Sequence, residues 1–284
     1  MFLLVFLVAF TVLIIFPFYN VVVVSFTSTK EYFEKSIVLF PTKPTLDAYR
    51  LLFKDGRLLV GYKTTLLIMI LGLPINMFLT VSMSYGLSRQ GLPGKKIILM
   101  LIVFTMLFHG GFIALYLVMM TLKLTNTIWS VILAYGINTF YLIIMRNYFM
   151  TLPEALVESA RLDGAGEWRI MIQIILPLSK PIIATISLFY AVDRWNEWFN
   201  ALLFIRKPNM VPLQLILRNI VIESILMVEA SSEGVGSALA LDKQIFPMGV
   251  KMAAVLVTMV PVMCVFPFLQ RHFVKGIMIG AIKT

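Results

Sequence analysis

The 284-residue sequence is too apolar for a water-soluble domain, since 60% of its residues are hydrophobic and its mean hydropathy is +0.93. Soluble domains are roughly half apolar, and one core cannot bury this much apolar surface. The net charge of +10 comes from basic residues scattered between apolar runs, which does not indicate a nucleic-acid partner. A single cysteine, Cys264, excludes an internal disulfide, and the two histidines, His109 and His272, form no metal-ligand cluster. The composition indicates an integral membrane protein in a lipid bilayer.

Six apolar stretches are long enough to cross a bilayer, because a transmembrane helix needs about 20 mostly apolar residues. Lipid offers the backbone no hydrogen-bond partners, so these stretches are predicted to be helices rather than open strands. They are residues 2–26, 66–85, 97–120, 128–145, 181–205 and 252–269. The sequence therefore predicts an all-α integral membrane protein with six transmembrane helices in a single domain, residues 1–284.

The first stretch is predicted to be an uncleaved span rather than a signal peptide. It carries no charge, is longer than an ordinary signal-peptide core and lacks the basic segment that precedes such a core. The missing basic residues leave open whether the natural chain begins further upstream.

A seventh apolar run, residues 211–228, is not counted as a span. Its polar residues Gln214, Arg218, Asn219 and Glu223 fall within one half of a helical wheel. We expect an amphipathic helix that lies at a membrane surface or against a partner.

The charged segment between the fourth and fifth predicted spans, residues 147–180, has the pattern of two helices joined by a tight corner. A proline and an acid at residues 153–154 suit the first turn of a helix, where the positive helix end favours an acid. Gly164-Ala165-Gly166 interrupts that helix and leaves almost no side-chain bulk. A second helix is predicted from Glu167 to Leu176-Pro177, because the residue before a proline resists the α conformation. Such a corner can approach the surface of another protein closely.

This segment resembles the EAA loop of ABC importer permeases, whose pattern is Glu-Ala-Ala, three residues, Gly, nine residues, Ile-x-Leu-Pro. Ser159 stands where the pattern has its first alanine, which exchanges one small residue for another. The alternative, an ordinary loop between two spans, does not explain so many matches in register. The matching residues are Glu158, Ala160, Gly164, Ile174, Leu176 and Pro177, with Asp163, Ala165 and Pro181 also common at their places.

The resemblance implies that the corner docks in a cleft of a cytoplasmic ATPase and transmits its nucleotide-driven closure to the spans. It implies that residues 147–180 are cytoplasmic, that both termini lie inside and that residues 206–247 form an external loop. The charge distribution between the loops does not decide this topology. The implied ATPase-coupling residues are Glu158, Ser159, Ala160, Asp163, Gly164 and Ala165.

Shorter matches along the chain resemble the carbohydrate permeases of the maltose-transporter (MalG-like) type, and within them the LplC-like branch. The matching stretches are residues 15–20, 84–89, 195–196, 211–214 and 270–276. The resemblance implies half of an import pathway for an oligosaccharide in the bacterial cytoplasmic membrane. The implied partners are a second homologous permease, a dimer of ABC ATPases and an extracellular solute-binding protein, which the loop 206–247 would contact.

The resemblance also implies a non-catalytic subunit with no cofactor of its own, ATP and Mg being bound by the ATPase. The residues agree with this expectation, because Gly91-Leu-Pro-Gly-Lys-Lys lacks the spacing and the closing Ser or Thr of a P-loop. A nucleophile–base pair or a carboxylate pair in a site-like setting is also missing from the sequence.

A polar cluster in the fifth predicted span offers candidates for the substrate pathway. A charge at mid-membrane costs about 2.5–3.5 kcal/mol on insertion scales, so charged residues there should face a cavity or a partner. Amides bond sugar hydroxyls, and an indole face covers the C–H surface of a sugar ring. One hypothesis therefore lines the pathway with Arg194, Trp195, Asn196, Glu197 and Asn200.

The alternative for this cluster is an ion pair of Arg194 with Asp193 or Glu197 that holds helices together, and the sequence leaves both open. An intramembrane arginine also raises the question of an acidic or modified sugar as the substrate.

Two other classes of protein are weighed against an importer subunit. A secondary carrier or channel should show inverted repeats or a midplane ion site, and neither is evident in the sequence. A membrane scaffold would leave the polar cluster of the fifth span without a purpose.

Overall fold

The computed structural model describes residues 2–35, 38–54, 56–108, 110–232 and 247–281. Within these ranges every element of regular structure is helical. We number the α-helices in chain order. They are α1 (Phe2–Ser25), α2 (Thr29–Glu34), α3 (Asp47–Lys54), α4 (Arg57–Ser88), α5 (Lys95–Leu107), α6 (Gly111–Thr121), α7 (Ile128–Ala134), α8 (Thr139–Met150), α9 (Glu154–Leu162), α10 (Glu167–Ile170), α11 (Leu176–Leu178), α12 (Lys180–Trp195), α13 (Phe199–Phe204), α14 (Leu213–Ser232) and α15 (Pro247–Ala281).

Membrane-crossing helices account for most of the described chain. By length and composition α1, α4 and the first 18 residues of α15 are each able to cross a bilayer. Three further pairs qualify together, each bent at a short break: α5 with α6, α7 with α8, and the run Glu167–Leu178 with α12. Within the described residues this gives three spans, or up to six if each bent pair is one span. The predicted all-α membrane fold is confirmed.

The chain divides into two compact units, Met1–Lys63 with Val211–Val265, and Thr64–Met210 with Phe266–Thr284. In the first unit, α4 begins tightly packed on α14, because a Cβ on Gly61 would meet the Ile216 side chain at 2.7 Å. Leu213, Ile216 and Ile220 bury the same face of α14. Arg57 forms an ion pair with Glu223 at 3.7 Å. One face of α14 is therefore apolar and buried, and Glu223 lies on the exposed side of the helix.

A buried carboxylate organises the polar segment that follows α1. Glu31 is 7% exposed and accepts hydrogen bonds from Lys35 Nζ at 2.6 Å and from the Thr42 amide at 2.8 Å. The bond from Lys35, together with those from Thr42, lowers the pKa of Glu31 to about 2. Because the folded pKa is the lower one, protonation removes this stabilisation only as the pH falls from the unfolded pKa toward 2.

The second unit is built around a core that joins the coupling segment to the spans beside it. Met145 and Phe149 of α8 are fully buried, as are Ile170 and Ile186. The core also contains Val81, Tyr85, Val157, Ala160, Met171, Ile175 and Tyr190. The helices on both sides of the corner thus share one apolar core with α4.

The predicted fifth span, residues 181–205, is not one helix. The structure ends α12 at Trp195 and starts α13 at Phe199. The Asn196 side chain donates to the Val192 carbonyl at 3.0 Å, and Glu197 Oε1 accepts from the Asn200 amide at 3.1 Å. These side chains satisfy backbone groups at the two helix ends, which is how short polar side chains compete with a continuous helix.

Candidate functional site

The corner after α9 is closed by backbone hydrogen bonds that need a left-handed residue. Gly164 has φ +79°. The Ala165 amide donates to the Ala160 carbonyl at 2.9 Å, and the Gly164 amide donates to the Arg161 carbonyl at 3.0 Å. This pair of bonds is the Schellman motif, in which glycine follows the helix end because a Cβ there is strained.

The corner buries its inner side and exposes its outer side. Ala160 is 9% exposed and Val157 is 2% exposed against the core. Leu162, at the tip of α9, is 89% exposed, and Trp168 just beyond the corner is 62% exposed. Among the described residues, a Cβ on Gly164 would meet no atom within 4 Å. The tip is therefore a sterically open surface that presents exposed apolar side chains above a buried base.

The predicted coupling residues lie at this corner. Glu158, Ser159 and Ala160 are on α9, and Asp163, Gly164 and Ala165 follow it directly. The side chains of Glu158, Ser159 and Asp163 are exposed, whereas Ala160 is buried and Ala165 is half-buried.

The helix after the corner is longer than predicted. Leu176 has φ −62° and ψ −45°, so the residue before Pro177 is helical and the run continues to Leu178. A π-helical turn at Met171–Ile175 precedes it. We attribute the difference to Pro177 standing near the start of a new helical stretch, where its missing amide is tolerated.

Glu167 makes contacts that sequence reasoning missed. Its carboxylate accepts from Tyr85 Oη of α4 at 2.6 Å and from Arg161 Nε of α9 at 2.9 Å. The guanidinium of Arg89 lies 4.8 Å from the Tyr85 ring centroid. An acid in the first turn of a predicted helix indicates only a helix start, so its spatial partners could not be read from the sequence.

Arg194 is buried at the break in the fourth span rather than exposed to a cavity. It is 3% exposed, and its Nη1 and Nη2 donate to the Val131 and Ile132 carbonyls at 3.0 and 2.9 Å. Nη2 also donates to the Tyr135 carbonyl at 3.1 Å, and Nε donates to Asn76 Oδ1 at 3.1 Å. The guanidinium satisfies carbonyls at the C-terminal end of α7, which have no partner within the helix.

Asn76 completes this arrangement from α4. Its amide donates to the Tyr135 and Gly136 carbonyls at 3.2 and 2.7 Å. A Cβ on Gly72 would come within 3.3 Å of Arg194 Nε, so a larger residue at this position would crowd the guanidinium. The 53° bend between α7 and α8 is thus filled by polar groups from two other helices.

Glu197 and Asn200 are also turned inward. Glu197 Oε2 lies 3.9 Å from Arg194 Nη1 and accepts from the Asn200 amide side chain at 2.9 Å. Asn200 is 4% exposed. For these residues the geometry favours the alternative in which Arg194 and Glu197 hold helices together.

Asp193 is the exposed charge of the cluster. Its Oδ2 accepts from Tyr141 Oη at 2.9 Å, and the Tyr141 ring packs on Phe189 and Tyr190 with centroids 5.4 and 4.9 Å apart. Asn196 is exposed as well, and Trp195 is half-buried. A carboxylate beside an aromatic surface is able to accept bonds from hydroxyl groups.

Metal chemistry gains no support from the described residues, among which no group of three or more His, Cys, Asp or Glu side chains is placed to hold an ion.

The fold and the corner together define a class: helical membrane subunits in which an exposed corner on a buried base lies between two spans. The chain belongs to the family described as binding-protein-dependent transport system inner membrane component, whose model matches residues 56–279. It is a multi-pass inner-membrane permease of an ABC importer that works with a solute-binding protein and an ATPase. Subunits of this family are not enzymes.

Individual relatives match nearly the whole chain. The chain is 41% identical over 98% of its length to the polygalacturonan/rhamnogalacturonan transport system permease protein YtcP of Bacillus subtilis, covering 96% of that protein. It is 39% identical over 95% of its length to protein LplC of the same organism, covering 89% of it. A crystal structure of a bacterial ABC transporter involved in the import of the acidic polysaccharide alginate matches with a TM-score of 0.85, 28% identity, and 95% and 94% of the two chains covered.

Proposed function

We propose that this permease forms half of the import pathway for an oligosaccharide and that the corner after α9 receives the motion of the ATPase. The coupling residues of this proposal are Glu158, Ser159, Ala160, Asp163, Gly164 and Ala165, with Leu162 added as the apolar tip. The corner then lies on the cytoplasmic side, and both termini lie there too. The observation that carries the proposal is the exposed tip on a buried base, with Leu162 89% exposed beside left-handed Gly164.

The names of the relatives support an oligosaccharide as the substrate. They include polygalacturonan and rhamnogalacturonan transport, arabinooligosaccharide transport and galactooligosaccharide transport. Arg194 does not support the hypothesis of an acidic substrate, because its guanidinium is already bonded to backbone carbonyls and to Asn76.

A second permease is the natural partner for the surface of α1. Nearly all of its side chains from Leu3 to Phe18 are exposed, so this span makes few contacts with its own chain. Lipid accepts such a helix, and so does the apolar face of a similar subunit. The exposed carboxylate of Asp193 is a stronger reason to expect a second permease, since contact between a charge and lipid is costly.

We place the substrate pathway at Asp193, Tyr141, Trp195 and Asn196 rather than at Arg194, Glu197 and Asn200. Lipid contact would be costly for an exposed Asp in a spanning helix, so Asp193 faces a water-filled cavity or the partner. Sugar hydroxyls donate to carboxylates, and aromatic rings cover their C–H faces. This proposal keeps Trp195 and Asn196 from the sequence-based set and adds two residues.

Changing Asp193 to Ala is expected to lower oligosaccharide uptake about tenfold, since a hydrogen bond to a charged group contributes roughly 1.5–3 kcal/mol. Tyr141→Phe removes one hydroxyl and is expected to have a smaller effect in the same direction. Uptake into vesicles at equal permease content is the measurement. The matched control is Asp47→Ala, an exposed aspartate at the start of α3, outside the spans. Equal uptake by Asp193→Ala and Asp47→Ala would contradict the placement of the pathway.

Co-purification tests the proposed function as a whole. The tagged permease is expected to bring down a nucleotide-hydrolysing subunit from solubilised membranes, and Leu162→Asp is expected to lose it. Phe40→Asp serves as the control, because Phe40 is a 76% exposed apolar residue outside the coupling segment. Recovery of the permease without any ATPase would favour a carrier or a scaffold.

A further inference from the structure

The coupling segment is joined to the inner end of α4 by directional polar contacts as well as by apolar packing. Tyr85 Oη donates to Glu167 Oε2 at 2.6 Å, and Glu167 Oε1 lies 2.7 Å from Arg161 Nη2. Tyr85, Arg161 and Glu167 together are named the inner clasp. One carboxylate at the start of α10 thus bonds to the end of α4 and to the last turn of α9 at once.

A second contact also joins the inner end of α4 to α9. Gln90, in the turn after α4, donates from Nε2 to Glu154 Oε2 in the first turn of α9 at 2.6 Å. Arg146 of α8 donates to the Leu87 carbonyl at 3.1 Å. The inner end of α4 is therefore held from both ends of α9 and from α8, on the side where the ATPase docks in the proposed function.

The hydrophobic effect is non-directional, so apolar packing by itself does not fix which polar groups of two helices face each other. Hydrogen bonds to a charged group are stronger than neutral ones and fix distance and angle. Tyr85 is 7% exposed, so its bond to Glu167 is shielded from competing water on the side of the tyrosine. The inner clasp is thus suited to make α4 follow a displacement of α9.

The far part of α4 reaches the break in the fourth span. Asn76 and Thr80 lie about two and a half and one and a half helical turns from Tyr85. Asn76 bonds to the Gly136 carbonyl and Thr80 to Tyr190 Oη, each at 2.7 Å. Tyr190 Oη in turn accepts from the Asn138 amide at 2.9 Å. A displacement that the inner clasp passes to α4 would therefore arrive at the bend between α7 and α8.

We propose that the Glu167–Tyr85 contact is a transmission element that makes α4 move with the coupling corner, so that ATPase closure reaches the bend of the fourth span. Tyr85, Arg161 and Glu167 are positioning residues, since they contact neither nucleotide nor sugar. This inference rests on the proposed function and adds the route by which the force travels.

The test compares transport with ATP hydrolysis in the complete transporter reconstituted in liposomes with its binding protein. Tyr85→Phe and Glu167→Gln each keep the size of the side chain and weaken the bond. Each is expected to lower sugar molecules imported per ATP hydrolysed about tenfold, while the ATPase remains bound and stimulated. The double variant is expected to lose no more than either single variant, because both remove the same contact.

Tyr148→Phe is the matched control, since it removes a hydroxyl from the same core at a residue outside the inner clasp. An unchanged transport-to-hydrolysis ratio in Tyr85→Phe and Glu167→Gln would overturn the transmission role. So would an equal loss of hydrolysis and transport, which indicates failed docking or folding. A wild-type complex in which substrate-loaded binding protein stimulates no ATP hydrolysis would overturn the proposed function, and the inner clasp with it.

Discussion

Replacing Gly164 with leucine is expected to abolish sugar uptake and to uncouple the ATPase, while the permease stays folded in the membrane. The residue has φ +79°, where a side chain costs about 1–2 kcal/mol. Among the described residues a Cβ at this position meets no atom within 4 Å, so the chain itself has room for the new side chain. The leucine would instead project into the surface against which the ATPase is proposed to dock.

Two further variants separate bulk from backbone strain. Gly164→Asn adds a side chain that tolerates the left-handed conformation, and it is expected to lower uptake as well. Gly56→Leu is the control, because Gly56 also has a positive φ, +71°, and open space around its Cβ position but lies outside the coupling segment. Uptake, ATPase stimulation and the amount of permease in the membrane are measured together. Normal uptake by Gly164→Leu would contradict the coupling role of the corner.

Replacing Arg194 with methionine is expected to unfold the second unit rather than to change substrate selectivity. The substitution leaves the carbonyls of Val131 and Ile132 and the Oδ1 of Asn76 without their donor, and it removes one of the two donors to the Tyr135 carbonyl. Removing one partner from a buried charged network destabilises a protein by roughly 3–5 kcal/mol. The melting temperature of the purified permease and its level in the membrane are the measurements.

Lys180→Met provides the matched control, because Lys180 is an exposed basic residue at the other end of α12. It is expected to melt as the wild type does. A stable Arg194→Met variant with a changed ratio of acidic to neutral oligosaccharide uptake would instead support a role for Arg194 in the substrate pathway.

The sequence predicted the fold class well because each span leaves a local signature. The apolar stretches 2–26, 66–85 and 252–269 correspond to α1, to part of α4 and to part of α15. The corner could also be predicted, since a helix that ends at Asp163-Gly164 needs a left-handed residue, and this requirement acts within a few residues. Where the structure differs, the fourth span bends at carbonyls that bond to Asn76 and Arg194 of other helices, and the break at Asn196–Trp198 is stabilised locally by the side chains of Asn196 and Glu197.

The orientation of the polar cluster could not be predicted, because it depends on contacts that are distant in the sequence. Asn76, whose amide oxygen accepts from Arg194, lies more than a hundred residues earlier in the chain. Asp193 and Arg194 are neighbours, yet one is exposed and the other buried, since adjacent helical residues point in different directions. Glu167 illustrates the same limit, because its partner Tyr85 belongs to another span. The predicted external loop, residues 206–247, lies in part outside the described ranges, and so does His109.

Site-specific crosslinking at the tip of α9 tests the central claim most directly. Leu162→Cys, in a Cys264→Ser background, is expected to crosslink to an ATPase subunit and to resist membrane-impermeant thiol reagents in intact cells. Phe40→Cys, in the polar segment after α1, is expected to react with the same reagents from outside. Labelling of Leu162→Cys from outside, without any crosslink to a nucleotide-hydrolysing subunit, would contradict the account.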